Sequence, residues 1–287
     1  LKVEVKNLSL KYNDFEALKN ISFELENGKT YGLLGRNGAG KTSLLSLIAS
    51  FREPTEGKIL IDGEEPFENA KIMQQVAFVY EKDYKDETGT VKEMLQIAEY
   101  YRPNFDKEYA NYLIDRFHLP LKKPVNKLSK GMQSAMSVTI GLASRAPFTI
   151  FDEAYLGMDA PTREMFYKEI LADQEKNPRI IILSTHLVSE MDYLFDEVLI
   201  IKNGKLIVQE EYEDLISKGV SITGESRVVD EFTSGMKILN EQQLGNTKSV
   251  MVYEKLLEKQ RYDAERLGLD VGPIPLQDLF IHLTEEV

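Results

Sequence analysis

Gly35, Arg36, Asn37, Gly38, Ala39, Gly40, Lys41 and Thr42 follow one another in the spacing G-x-x-x-x-G-K-[ST], with Ser43 next. The chemistry this spacing serves is capture of nucleotide phosphates. Glycines let successive backbone N–H groups turn inward without Cβ clashes, and a helix starting at Lys41 adds its partial positive charge. Lys41 would reach the β- and γ-phosphates, and the Thr42 hydroxyl would ligate Mg2+. A second chemical pair, Asp152-Glu153, closes the apolar run at residues 148–151. An aspartate at the end of a buried strand can hold the water shell of Mg2+, and the adjacent glutamate can polarise an attacking water. Paired carboxylates also occur as solvated caps; a phosphate loop upstream favours the catalytic reading. A GTPase would carry Asn-Lys-x-Asp, whereas Asn126-Lys127 continues as Leu-Ser.

These groups need a scaffold. Residues 31–34 read as a short buried strand before the glycine turn, and residues 41–50 as a helix packing Leu44, Leu45, Leu47 and Ile48. Further strands are expected at residues 1–30 (alternating Val3, Val5, then Ile21, Phe23, Leu25), 57–62, 76–80, 148–151 and 180–184. Residues 88–146, with Met94, Leu95, Tyr109, Leu113 and Phe117 at helical spacing, read as a helical insert. Strands alternating with helices imply a mostly parallel α/β sheet. Residues 198–208, around Asn203-Gly204, read as a hairpin. A boundary is expected near residues 216–217, giving a domain at 1–216 and a small α/β module at 217–287.

Composition removes whole classes. The chain has 287 residues, 43% of them hydrophobic, so it can bury a core; it has no cysteine and a net charge of -12. No thiolate zinc site or cysteine nucleophile is available. An acidic chain without a basic run argues against a nucleic-acid partner. The longest stretch free of charged residues, from Gly131 to Ser144, is 14 residues and too short to span a bilayer. The alternating N-terminal residues read as a strand and not as a signal peptide. The chain is expected to be soluble, with any membrane role coming through a partner.

Between the two chemical landmarks lies Leu128-Ser129-Lys130-Gly131-Met132, a variant of the Leu-Ser-Gly-Gly-Gln signature. With it, the chain resembles an ABC transporter ATP-binding subunit from residue 1 to about 215. The resemblance implies the ABC-ATPase fold: a P-loop sheet with helices, an antiparallel β subdomain and a helical insert. Tyr12 resembles the aromatic that stacks on adenine, Asp159 the D-loop aspartate and His186 the switch histidine. Taken alone, Tyr12 also reads as a half-buried strand tyrosine and His186 as a capped loop histidine. The implied mechanism needs two subunits head to tail, identical or related, each signature (Ser129, Lys130, Gly131, Met132) capping the γ-phosphate held by the other P-loop. Glu153 would be the general base, His186 would contact the γ-phosphate, and Asp159 would communicate between sites. The implied partner is a polytopic membrane permease, placing the chain on the cytoplasmic face of the plasma membrane. A non-transport regulatory or soluble ABC ATPase is the alternative.

Three positions depart from the family pattern. Glu81 stands where the Q-loop glutamine touches Mg2+; it can serve as an oxygen ligand or point to solvent. Lys130 replaces a signature glycine, near phosphate or solvated, and Met132 replaces the glutamine. Ala154 follows the catalytic glutamate in place of proline. With the segment Tyr100-Tyr101-Arg102-Pro103-Asn104-Phe105-Asp106, these features are similar to a Gram-positive subgroup of exporters, often beside GntR-type repressors, that includes phenol-soluble modulin peptide exporters. Near the C-terminus, Leu276, Leu279, Phe280 and Leu283 share one helical face, expected to pack on the module's own strands at about residues 236–244 and 249–253, with a role in dimer contact or regulation as the alternative.

Overall fold

A computed structural model describes residues 1–285 of the chain. The short apolar runs become strands buried on both faces, as parallel strands flanked by helices must be. In chain order the first part comprises β1 (Lys2–Tyr12), β2 (Phe15–Glu26), β3 (Thr30–Leu34), α1 (Lys41–Ile48), β4 (Glu56–Ile61), α2 (Ala70–Met73), β5 (Val76–Tyr80), α3 (Val91–Tyr101), α4 (Lys107–Arg116), α5 (Lys130–Ala143) and β6 (Phe148–Asp152). It continues through α6 (Ala160–Lys176), β7 (Ile180–Ser184), α7 (Val188–Met191), β8 (Glu197–Lys202) and β9 (Lys205–Glu211). A six-stranded sheet has the order β5-β6-β7-β3-β8-β9, and its pairs from β5 to β8 are parallel. A second, antiparallel sheet has the order β2-β1-β4. The main core lies between these sheets around α1, with Leu44, Leu45 and Ile48 fully buried against side chains such as Leu25, Tyr31 and Phe148.

The helical insert is built from α3, α4 and α5. Thr90 opens α3 with a reciprocal capping box to Glu93, and Asp106 caps α4 by accepting from the Tyr109 N–H. An ion network joins α4 and the end of α5 to α6. Arg145 donates to Asp106 and to Asp173, Arg179 pairs with Asp173, and Tyr109 and Tyr112 donate to Glu169. Among the described residues, no helix is long and apolar enough to cross a membrane.

The remaining elements are α8 (Tyr212–Ser217), β10 (Gly219–Glu225), α9 (Ser226–Phe232), β11 (Ile238–Leu244), β12 (Thr247–Tyr253), α10 (Glu258–Arg266), β13 (Asp270–Pro273) and α11 (Leu276–Thr284). The chain divides into two compact units, residues 1–186 with 193–209, and residues 187–192 with 210–287. The second unit therefore starts upstream of the expected boundary, because α8 buries Leu215 and contacts β10. From β10 to β13 it follows a strand-helix-strand-strand-helix-strand order, in an antiparallel sheet arranged β11-β12-β10-β13. This is the ferredoxin-like split motif. Val220, Ile222, Val250 and Val252 pack beneath Val229 of α9 and Ala264 of α10. On α11, Leu276 and Leu279 are buried, while Phe280 and Leu283 are half-buried.

Candidate functional site

The phosphate loop joins β3, buried throughout, to α1. Gly40 is the N-cap of α1 at φ 110, a conformation only glycine adopts without strain. It supplies no side-chain cap, so the first N–H groups of α1 stay free to face an anion. The loop is pinned from behind, where the Gly204 N–H donates to Ala39 O at 3.0 Å. Lys41 is buried, and its Nζ donates to Gly35 O at 2.6 Å. Burial lowers its pKa, opposed by the nearby charges of Glu153 and Asp152. Arg36 and Asn37 lie exposed at the loop's tip, and Ser43 faces Tyr12, whose hydroxyl is 3.4 Å from Ser43 Oγ. Tyr12 ends β1 partly exposed, with the Arg52 guanidinium 5.0 Å over its ring.

Thr42 Oγ1 donates to Asp152 Oδ2 at 2.9 Å, joining the first turn of α1 to the end of β6. Burial raises the Asp152 pKa, against the lowering effect of the Ser184 and Thr42 hydroxyls. Asp152 Oδ1 and Ser184 Oγ are close enough to interact, yet both are buried without a well-formed hydrogen bond. Such an unspent carboxylate oxygen beside a threonine hydroxyl fits a hard divalent cation. Among the described residues no group of three His, Asp or Glu could hold a metal by itself. A cation here would draw its remaining ligands from phosphate oxygens and water, as Mg2+ commonly does.

Glu153 adopts φ 48, a left-handed conformation that costs a non-glycine residue of order 1–3 kcal/mol. Its N–H donates to Ser184 O at 3.0 Å, which helps hold it there. The result aims the carboxylate off the strand's end, with Oε1 3.2 Å from His186 Nδ1. Strain stored at a carboxylate beside a phosphate loop is the pattern of a functional site.

The signature segment occupies the start of α5. Ser129 is its N-cap and accepts from the Met132 N–H at 3.3 Å. Gly131 approaches the loop before α6 so closely that an added Cβ would stand 2.5 Å from Gly157 O. Asp159 caps α6, accepting from the Thr162 N–H at 3.0 Å; hydrogen bonding to Thr162 lowers its pKa. Lys130 Nζ lies 2.6 Å from Glu81 Oε1, and these two residues line one narrow cleft with Glu153.

A family model described as ABC transporter matches residues 18–156. The chain is 30% identical over 211 residues to the ABC transporter ATP-binding protein NatA of Bacillus subtilis (strain 168), an alignment covering 70% of this chain and 84% of NatA. The chain belongs to the ABC transporter family. It is an ATP-binding subunit and an ATPase. The lantibiotic transport ATP-binding protein SrtF of Streptococcus pyogenes is 27% identical over 218 residues, covering 74% of this ABC subunit and 91% of SrtF. A solved structure described as the ATP binding subunit of an ABC transporter superposes with a TM-score of 0.68 at 26% identity, covering 75% of this chain and 92% of that one.

In this ABC ATPase the fold gathers Lys41, Thr42, Asp152, Glu153 and His186 around the ends of β3, β6 and β7. It joins Ser129, Gly131, Met132 and Asp159 in a second cluster, where α5 meets the loop before α6. Glu81 stands with Lys130, a juxtaposition the sequence reading did not anticipate. Tyr155 was also missed. It is buried, and its hydroxyl touches His186. The one available signal was an aromatic residue two positions after Glu153, embedded in an otherwise familiar motif.

Proposed function

We propose that this ABC ATPase drives an exporter, working as one of two head-to-tail cassettes under a separate membrane permease on the cytoplasmic face. The observation that carries the catalytic part is the convergence of Lys41, the Thr42–Asp152 pair and the Glu153–His186 pair at adjacent strand ends. Gly35 to Ser43 bind the phosphates, and Tyr12 offers a ring for the adenine. Thr42 and Asp152 would hold Mg2+, which would neutralise charge on the phosphates when bound. Glu81 would join that set while one of its oxygens, Oε1, is engaged by Lys130. Glu153 orients and deprotonates water as general base, and His186 supports the γ-phosphate. Ser129, Lys130, Gly131 and Met132 meet the nucleotide held by the second cassette, and Asp159 links the two sites.

The cargo class rests on local resemblance: the Lys130-containing signature, Glu81 and the Tyr100–Asp106 segment point to amphipathic or antimicrobial peptides. Likeness to a lantibiotic transport protein supports the same direction. The catalytic reading is tested with Glu153→Gln. Removing one preorganised contact costs about 10²–10³ in rate, so this variant should bind ATP normally, lose turnover and accumulate as an ATP-bound dimer. Unimpaired turnover would sink the assignment. Co-purification with a polytopic membrane protein tests the transport role; recovery of the chain with only a second copy of itself would favour a soluble ABC ATPase.

A further inference from the structure

Tyr155 is only 3% exposed, yet its hydroxyl gathers three contacts at the catalytic edge. Thr185 Oγ1 donates to it at 3.0 Å, the His186 backbone N–H donates at 3.3 Å, and His186 Nδ1 lies 3.2 Å away. The same Nδ1 lies 3.2 Å from Glu153 Oε1. One ring nitrogen therefore faces two oxygens of different chemistry.

A phenol donates one proton and accepts on two lone pairs, whereas a carboxylate only accepts. Thr185 and the His186 main chain both donate to the Tyr155 oxygen, so toward Nδ1 the phenol can act through its O–H. Nδ1 cannot serve both neighbours at once. It donates to Glu153 when it carries a proton, or it accepts from Tyr155 when it does not. A neutral ring in the second state carries its proton on Nε2.

We propose that Tyr155 is a positioning residue that sets the tautomer of His186 and frees Glu153 to change partners. The inference rests on the roles given above to Glu153 and His186. While His186 Nδ1–H engages Glu153, base and histidine are tied together. As Glu153 turns to a water molecule, the phenol takes over Nδ1. The ring keeps its place and presents Nε2–H as the donor for phosphate. One proton leaves Nδ1 and one arrives at Nε2, both exchanged with bulk water at a side chain that is 46% exposed. Neither ring nitrogen is stranded at the changeover.

Tyr155→Phe removes the hydroxyl and keeps the ring. The chain has only three histidines, so ¹⁵N-histidine NMR reads His186 directly, its signal assigned by its loss in His186→Gln. In the wild-type protein the nucleotide-free state should show Nδ1–H, and Mg2+ with a non-hydrolysable ATP analogue should shift His186 toward Nε2–H. In Tyr155→Phe that shift should shrink, and kcat should fall about five- to tenfold, the worth of one hydrogen bond, with the KM for ATP unchanged. A wild-type His186 that keeps one tautomer in both states overturns the proposal without any variant. So does a Tyr155→Phe protein with the wild-type shift, even if its rate has fallen. The two readings separate cleanly: unimpaired turnover in His186→Gln removes the role of His186 itself. An impaired His186→Gln beside an unaltered Tyr155→Phe removes only the role of the tyrosine.

Discussion

Glu81 and Lys130 are 2.6 Å apart and tie the segment after β5 to the first residue of α5. Each stands where the ABC pattern has an uncharged residue, so the two departures are one feature, a matched pair. Its side chains are 52% and 48% exposed, and an ion pair in that setting contributes about 0.2–1 kcal/mol to stability. In Glu81→Gln and Lys130→Gln the melting temperature should therefore move by no more than about 2–4 °C. The effect on turnover should be more informative, because the pair shares a cleft with Glu153. Each single substitution leaves a lone charge beside Glu153, the proposed general base, whereas the double variant leaves none. If the pair acts as a unit, the double variant should retain about two- to fivefold more kcat/KM than the product of the single effects, a coupling of roughly 0.5–1 kcal/mol. The assay is steady-state ATP hydrolysis across Mg2+ concentration, at low salt and at about 0.5 M salt, where an exposed pair is screened and the coupling should shrink. Effects that add within about 0.3 kcal/mol would refute the matched-pair reasoning. A shifted Mg2+ dependence in Glu81→Gln that Lys130→Gln does not alter would instead make Glu81 a metal ligand acting alone.

Two further substitutions probe the supports of the site. Arg145→Met keeps the apolar stem but removes charge-assisted bonds to Asp106 and to Asp173, whose side chain is 2% exposed. Breaking a buried pair costs about 3–5 kcal/mol; Asp173 retains Arg179 and Asp106 is partly solvated, so about 2–4 kcal/mol is expected as a lower urea midpoint for the nucleotide-binding unit, and a loss under about 1 kcal/mol would show that the network does not hold the insert. Gly131→Ala gains up to about 1 kcal/mol of helix propensity, yet its Cβ would meet a backbone oxygen at 2.5 Å, and overpacking of that kind costs about 1–3 kcal/mol. Net destabilisation with weaker ATP-driven dimerisation is expected, read by thermal unfolding and size-exclusion chromatography; a stabilised, fully active variant would contradict the close approach.

What was legible in the sequence follows from what is local. The strands ending in Leu34, Asp152 and Ser184 are buried on both faces, so a short, largely apolar run announces each of them. The phosphate loop is legible because glycine spacing and backbone geometry are one constraint. The Glu81–Lys130 pair was not legible, since two exposed charges far apart in sequence carry no mark of being neighbours. Tyr155 escaped for a related reason: its importance lies in the direction of one hydroxyl, which only the path of β7 into His186 determines. In the second unit, β13 is four residues long and contains Gly272 and Pro273, both weak strand formers, so only pairing with β10 makes it a strand. The capping bond of Asp159 lies in between. An Asp before Ala-Pro-Thr is a helix start by composition alone, and the same residue is the one proposed to link the two nucleotide sites.

That double duty recurs across the site. Lys41 Nζ bonds to Gly35 O, the Ser129 hydroxyl to the Met132 N–H, Asp159 to the Thr162 N–H, and Glu153 to His186. Each of these side chains already has a partner within its own chain. Engagement is then an exchange of hydrogen bonds and not a pure gain, with a net difference of about 0.5–1.5 kcal/mol per bond in place of the several that a bare group would yield. A ligand shifts a conformational equilibrium only by its difference in affinity for the two states. In the proposed head-to-tail pair, small differences at several exchanged contacts would keep the ATP-bound dimer close in free energy to the separated subunits. Loss of one phosphate can then reverse the association, which is what a cyclic motor requires.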